Sequence, residues 1–214
     1  MTGEALARKQ RSIEILRSEG VPYVDHLPVI ETEAESIRRS SEEVALRAIA
    51  LCVVAVKGVG APPELTNRML EKLSIWPSLT PKESVFVKKS NAPPEELATY
   101  SWRFESFWTL MWALGFIESL ERPERQCDSD KAGIILRDLG RDRFLAEALL
   151  RPQTELLDAA DLVYRYHWAI RSAALSGKDW PAGLDGEVVA ERHHALNWLV
   201  GPEVVDWDDV STDT

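Results

Sequence analysis

Hydrophobic positions recur at helical spacing along nearly the whole chain, and the breaks between runs fall at Gly and Pro. Residues 4–19 carry Leu6, Ile13 and Leu16 on a weak stripe that stops at Gly20. Pro22 and Pro28 make residues 21–30 an extended connector. Ser40 or Ser41, followed by Glu42 and Glu43, marks the next helix start, because a hydroxyl caps free N–H groups and acids favour the positive end of the helix dipole. From Val44 to Val56 that helix is apolar all round except at Arg47, which predicts a central core position. Gly58 and Gly60 end it. A short helix runs from Pro62-Pro63 to Leu73 and is broken at Trp76-Pro77. Thr80-Pro81-Lys82-Glu83 has the spacing of a capping box, although Ser84–Val87 alone reads equally as a short strand. A long helix is predicted from Pro93-Pro94 to Gly115, then one from Asp128–Asp130 to Gly140 and another over residues 142–150. The longest runs from Pro152 to Gly177, and a Pro/Gly loop at 179–183 leads to a last helix from Asp185 to Val200. The pattern predicts an all-α protein of about eight helices in a single compact domain over residues 1–214. Residues 1–30 form its first helix and connector, and residues 203–214 an acidic tail.

Projection at about 100° per residue finds polar groups on apolar faces. In the helix from Pro152, Leu156, Leu157, Ala160, Val163, Tyr164 and Trp168 share a stripe that continues to Ala174 and Leu175, and His167 and Arg171 fall inside it. Asp158 and Arg165 fall toward a solvated face, with Asp161 at the border. In the last helix Arg192 lies within the stripe of Val188, Val189, Ala195, Leu196 and Leu199. In the helix from Pro94, Leu97, Phe104, Trp108, Met111 and Trp112 face inward, and Glu105 sits on the flank between the directions of Trp102 and Trp112. A buried arginine needs carboxylates or backbone carbonyls, and a carboxylate among tryptophans needs a partner or a raised pKa. Trp102, Glu105, Trp112, His167, Arg171, Arg192, Asn197 and Asp208 are the candidate cluster. It reads either as a buried ion-pair network fixing helix register or as a Trp-walled pocket for an anion.

Charge and cysteine content narrow the function classes. Lys and Arg number 25 against 35 Asp and Glu, a formal charge of −10. Such a surface repels phosphate backbones and anionic membranes, so no nucleic-acid or membrane partner is expected, while a basic protein suits it. The apolar run Val44–Val56 is too short to span a bilayer, and residues 1–12 lack the apolar core of a signal peptide. Cys52 and Cys127 form no metal or redox spacing, and the neighbours His193 and His194 point different ways on a helix. Asp206-Trp207-Asp208-Asp209 lacks the Gly and closing Glu of a calcium loop. No metal, cofactor or catalytic residue is assigned, and a cytoplasmic location follows.

Five ordered segments carry a resemblance. They are Ser101-Trp102-Arg103-Phe104-Glu105, Leu110-Met111-Trp112-Ala113-Leu114-Gly115, the run from Asp161 to Ala169 with Tyr164-Arg165-Tyr166-His167-Trp168, the run from Glu191 to Leu199 with Arg192-His193-His194, and the end from Trp207 to Thr214. Together they resemble the bacterial family catalogued as domain of unknown function 4272, from about Arg11 to Thr214. The resemblance implies a family and no chemistry. It makes a folded-back tail the natural expectation for so specific an acidic terminus. The leading functional expectation is a non-enzymatic binding domain for a basic protein or a small ligand. The alternative is a sensor or enzyme that holds an anion with Glu105, His167, Arg171 and Arg192.

Overall fold

In a computed structural model the described residues, 3–214, fold into helices joined by turns, with no strand among them. The α-helices are α1 (Gly3–Glu19), α2 (Ser41–Gly58), α3 (Pro63–Lys72), α4 (Pro81–Lys88), α5 (Pro94–Ser101), α6 (Arg103–Ala113), α7 (Ser129–Glu147), α8 (Gln153–Leu175) and α9 (Gly186–Val200). Several boundaries are set by the caps expected from sequence. Ser40 accepts the Glu43 N–H, Asp128 accepts the Lys131 N–H, and Asp185 accepts those of Glu187 and Val188. The Thr80–Glu83 capping box is complete, so Ser84–Val87 is helical. No helix among the described residues is long and apolar enough to cross a membrane.

The sequence offers no linker, yet the chain divides into two compact units, each built from separated segments. One comprises Ser40–Leu120 and Cys127–Leu150, hence α2 to α7. Its axis is α2, whose residues from Val44 to Ala55 are all buried except half-buried Leu46 and which packs against α3, α4, α5, α6 and α7. Arg47, the one charge in that run, forms a buried fork with Glu83, both carboxylate oxygens lying 2.6 Å from Nη2. Glu83 also accepts the Thr80 N–H at 2.9 Å, so one carboxylate both starts α4 and neutralises the core arginine. The predicted long helix from Pro94 is two helices, parted at Trp102. The break lies beside the place where Gly58 of α2 meets the backbone of Tyr100 and Ser101.

The other unit comprises Met1–Arg39, Glu121–Gln126 and Arg151–Thr214, with α1, α8 and α9. Here α8 is covered by α9 and also by α1. A single stripe does not describe a helix with two neighbours. Asp161 and Arg165, expected at the border and on a solvated face, are instead a buried ion pair with contacts of 2.7 and 2.8 Å. The last turn lies beyond the buried stretch, which ends at Ile170. Arg171, Ala174 and Leu175, expected in the stripe, are exposed, Leu175 by 85%.

The contact at Gly58 yields a paired expectation. A Cβ there would stand 2.4 Å from the Ser101 nitrogen and 2.6 Å from the Tyr100 carbonyl carbon. Neither is a side chain that can swing away. Gly58→Ala should destabilise by roughly 2–3 kcal/mol in urea unfolding. Gly133→Ala in α7, where nothing lies within 4 Å of the new carbon, should stabilise by up to about 1 kcal/mol. Equal and small effects would contradict the close approach of α2 and α5.

Candidate functional site

The acidic tail returns onto α9. Trp207 is buried, with its ring 5.4 Å from that of Trp198 and 4.6 Å from that of His194. The Arg39 guanidinium lies 3.9 Å over the other ring system of this stack, Trp198. Polar contacts fix the backbone around this aromatic anchor. Arg39 donates to the carbonyls of Trp198 (2.6 Å) and Val205 (2.9 Å). His194 Nε2 lies 3.0 Å from the Trp207 carbonyl, and Asn197 Nδ2 donates to that of Ser211 at 2.9 Å.

The opposite wall comes from the connector after α1, which has no backbone ladder of its own. Its carbonyls are satisfied by cations. Lys9 donates to Leu27, Arg165 to Pro28 and Arg8 to Glu31, at 2.7, 3.1 and 2.8 Å. Arg8 is 1% exposed, so this fixing is internal. Between connector and tail lies a cavity of about 350 Å³. Its polar lining includes Tyr164 of α8, His193 and Asn197 of α9, and Ser211 of the tail. The lining also includes four acidic residues, half-buried Glu31 and exposed Glu203, Asp209 and Asp213, and no Lys or Arg.

His193 is 1% exposed and is the deepest of these groups. Its Nδ1 lies 2.7 Å from Nδ1 of His167, the rings nearly perpendicular at 79°. Two facing Nδ1 atoms at this distance share one proton, so one ring is the donor and the other the acceptor. Burial, reinforced by the Arg171 charge, pushes His167 down to about 4. Burial, reinforced by His167 and His194, pushes His193 down to about 3. Both rings are therefore neutral near pH 7.

The eight residues singled out from sequence fall in different places. Trp102, Glu105 and Trp112 belong to the α2–α7 unit. There Glu105 is buried and accepts the backbone N–H of Cys127, Trp112 is buried, and Trp102 is half-buried. The other five belong to the unit that holds the cavity. Asn197 lines it, and His167 is joined to the lining through His193. Arg171 is exposed, and buried Arg192 donates to the Glu121 carbonyl. Neither arginine lines the cavity, nor does Asp208, half-buried on the tail. His193 and Tyr164 were overlooked, one as a mere neighbour of His194 and the other as core. The available signal was the one-turn spacing of His193 and Asn197, which puts both on one face of α9.

A family model described as "Domain of unknown function (DUF4272)" matches residues 8–210. The chain belongs to that family. No curated protein and no solved structure matches it. The DUF4272 match takes in the connector, the histidine pair and the Trp207 anchor. Ser211 and Asp213 of the cavity lining lie just past its end.

The histidine pair makes stability depend on pH. Both folded values, about 4 and about 3, lie below the ordinary 6.5. The unfolded chain therefore binds protons between pH 6.5 and 4 that the folded chain refuses. Stability from this source is complete above pH 6.5 and falls as the solution is acidified toward pH 4. Between pH 6.5 and 5.5, above the carboxylate range, each ring should contribute a fall of at most about 1.4 kcal/mol per pH unit. Urea midpoints measured across this interval should drop for the natural protein and drop less for His167→Gln. A flat profile would contradict the neutral pair.

Proposed function

We propose that this protein is a non-enzymatic binding module of the cytoplasm whose ligand is a small molecule held in the tail-capped cavity. The observation that carries the reading is that one cavity of about 350 Å³ is lined by a buried histidine, a tyrosine, an asparagine and several acidic residues. Ligand sites are concave, partly apolar and supplied with a few convergent polar groups. Val29, Ile30, Val200, Val205 and Val210 provide the apolar part. The volume lies within the range that small ligands occupy. Cys52 and Cys127 are not joined in a disulfide, which fits a reducing compartment. An anion-binding reading built on Arg171 and Arg192 has less support, because neither arginine is among the lining residues and four acidic residues are.

A thermal-shift screen against a metabolite collection tests this reading. A ligand at one hundred times its Kd should add about 2.7 kcal/mol to stability. The shift should disappear in Tyr164→Ala or Asn197→Ala protein that remains folded by circular dichroism. The ligand should be recovered chemically unchanged by NMR. Hits that stabilise these wall variants as strongly as the natural protein would refute the assignment, and a converted ligand would refute the non-enzymatic part.

A further inference from the structure

We infer that the cavity selects a small protonated amine, which donates a hydrogen bond to Nε2 of His193 while connector and tail carboxylates balance its charge. This rests on the reading of the cavity as a ligand site and names the ligand's class. The first support is electrostatic. Glu31 of the connector and Glu203, Asp209 and Asp213 of the tail are among the lining residues, and they give this mouth of the cavity a negative charge. The basic side chains that hold these walls are already engaged, Arg39 by backbone carbonyls, Arg8 by the Glu31 carbonyl with Glu4 and Asp158, and Arg165 by the Pro28 carbonyl with Asp161, and none is part of the lining. Among the described residues no three His, Cys, Asp or Glu side chains are grouped to hold a metal ion, so an organic cation fits this charge.

The second support is the histidine. His193 is buried and lines the cavity, and its Nδ1 is engaged by His167. Nε2 is the ring nitrogen left for a ligand. The bond between the two rings ties its character to that of His167. If a ligand donates to Nε2 of His193, that ring carries its proton on Nδ1 and donates it to Nδ1 of His167. His167 must then carry its own proton on Nε2. If a ligand instead accepts from Nε2–H of His193, both tautomers reverse. His167 is thus a positioning residue that touches no ligand and reports which kind is bound. Tyr164, whose ring already has the Arg165 guanidinium 5.8 Å from its centroid, adds an aromatic residue to the lining, and the five aliphatic residues suit the carbon body of an amine.

Benzylamine is the probe, with benzyl alcohol and benzoate as neutral and anionic counterparts of the same size. Each is titrated into the full chain by calorimetry at pH 7.5. Benzylamine should bind at least tenfold more tightly than either counterpart. Asp209→Asn and Asp213→Asn, at exposed positions that leave the fold intact, should each weaken it severalfold. In ¹⁵N NMR, bound benzylamine should hold His193 as the Nδ1–H tautomer and His167 as the Nε2–H tautomer. Tighter benzoate binding with reversed tautomers would overturn the amine class and leave the ligand site standing. Benzylamine binding that is indifferent to both aspartates and leaves His193 unchanged would overturn the inference. So would no binding by any of the three, in which case the metabolite screen decides separately whether the cavity is a ligand site.

Discussion

Burial of Trp207 against Trp198 and His194 is the contact on which the candidate site depends. The tail from Glu203 carries five acids and no bases, and charge of that kind keeps a segment in water unless something apolar brings it back. One indole does so. Fully burying a side chain of this size contributes on the order of 2–3 kcal/mol, enough to offset the ordering of about one or two residues, and the hydrogen bonds on either side must hold the rest. Once Trp207 is fixed, the Asn197 bond to Ser211 and the Arg39 bond to Val205 set the path of the chain on either side of it. The cavity exists because that path stands off from the connector instead of packing on it.

A second regularity runs through both units. Interior cations are directed at backbone carbonyls as often as at carboxylates. Lys57 donates to Val87 and Lys89, Arg192 to Glu121, and Arg8, Lys9 and Arg165 to the connector. Each carbonyl lies in a loop or at a helix end, where the regular ladder leaves it unpaired. The device lets an irregular segment be held rigidly without a strand. None of these cations lines the cavity, whose charged residues are all acidic although the protein carries 25 Lys and Arg.

Local signals were legible where chemistry is local. The Thr80–Glu83 box, the Ser40, Asp128 and Asp185 caps and the apolar run of α2 all announce helices through residues within a few positions of one another. The failures lie among inferences that needed to know a neighbour's position. Arg165 looked solvated because the wheel of α8 assumes one packing partner and the helix has two. Arg171 looked buried because the same wheel cannot show where the partners end. Trp102 breaks a helix whose amino-acid pattern runs on, beside a close approach to Gly58 that lies 44 positions earlier. His167 was singled out as a polar group in an apolar stripe, and its placement agrees. Its partner His193 was passed over, since 26 positions separate them and no spacing rule connects two helices.

The most direct test of the tail anchor is the stability of Trp207→Ala. Equilibrium urea unfolding of the full chain, followed by far-ultraviolet circular dichroism so that loss of one indole does not alter the signal, compares it with the natural protein. A buried indole in contact with Trp198 and His194 should cost about 3–5 kcal/mol on truncation. A loss below about 1 kcal/mol, the size expected of an exposed side chain, would mean that the tail does not return to α9 and that the cavity has no roof.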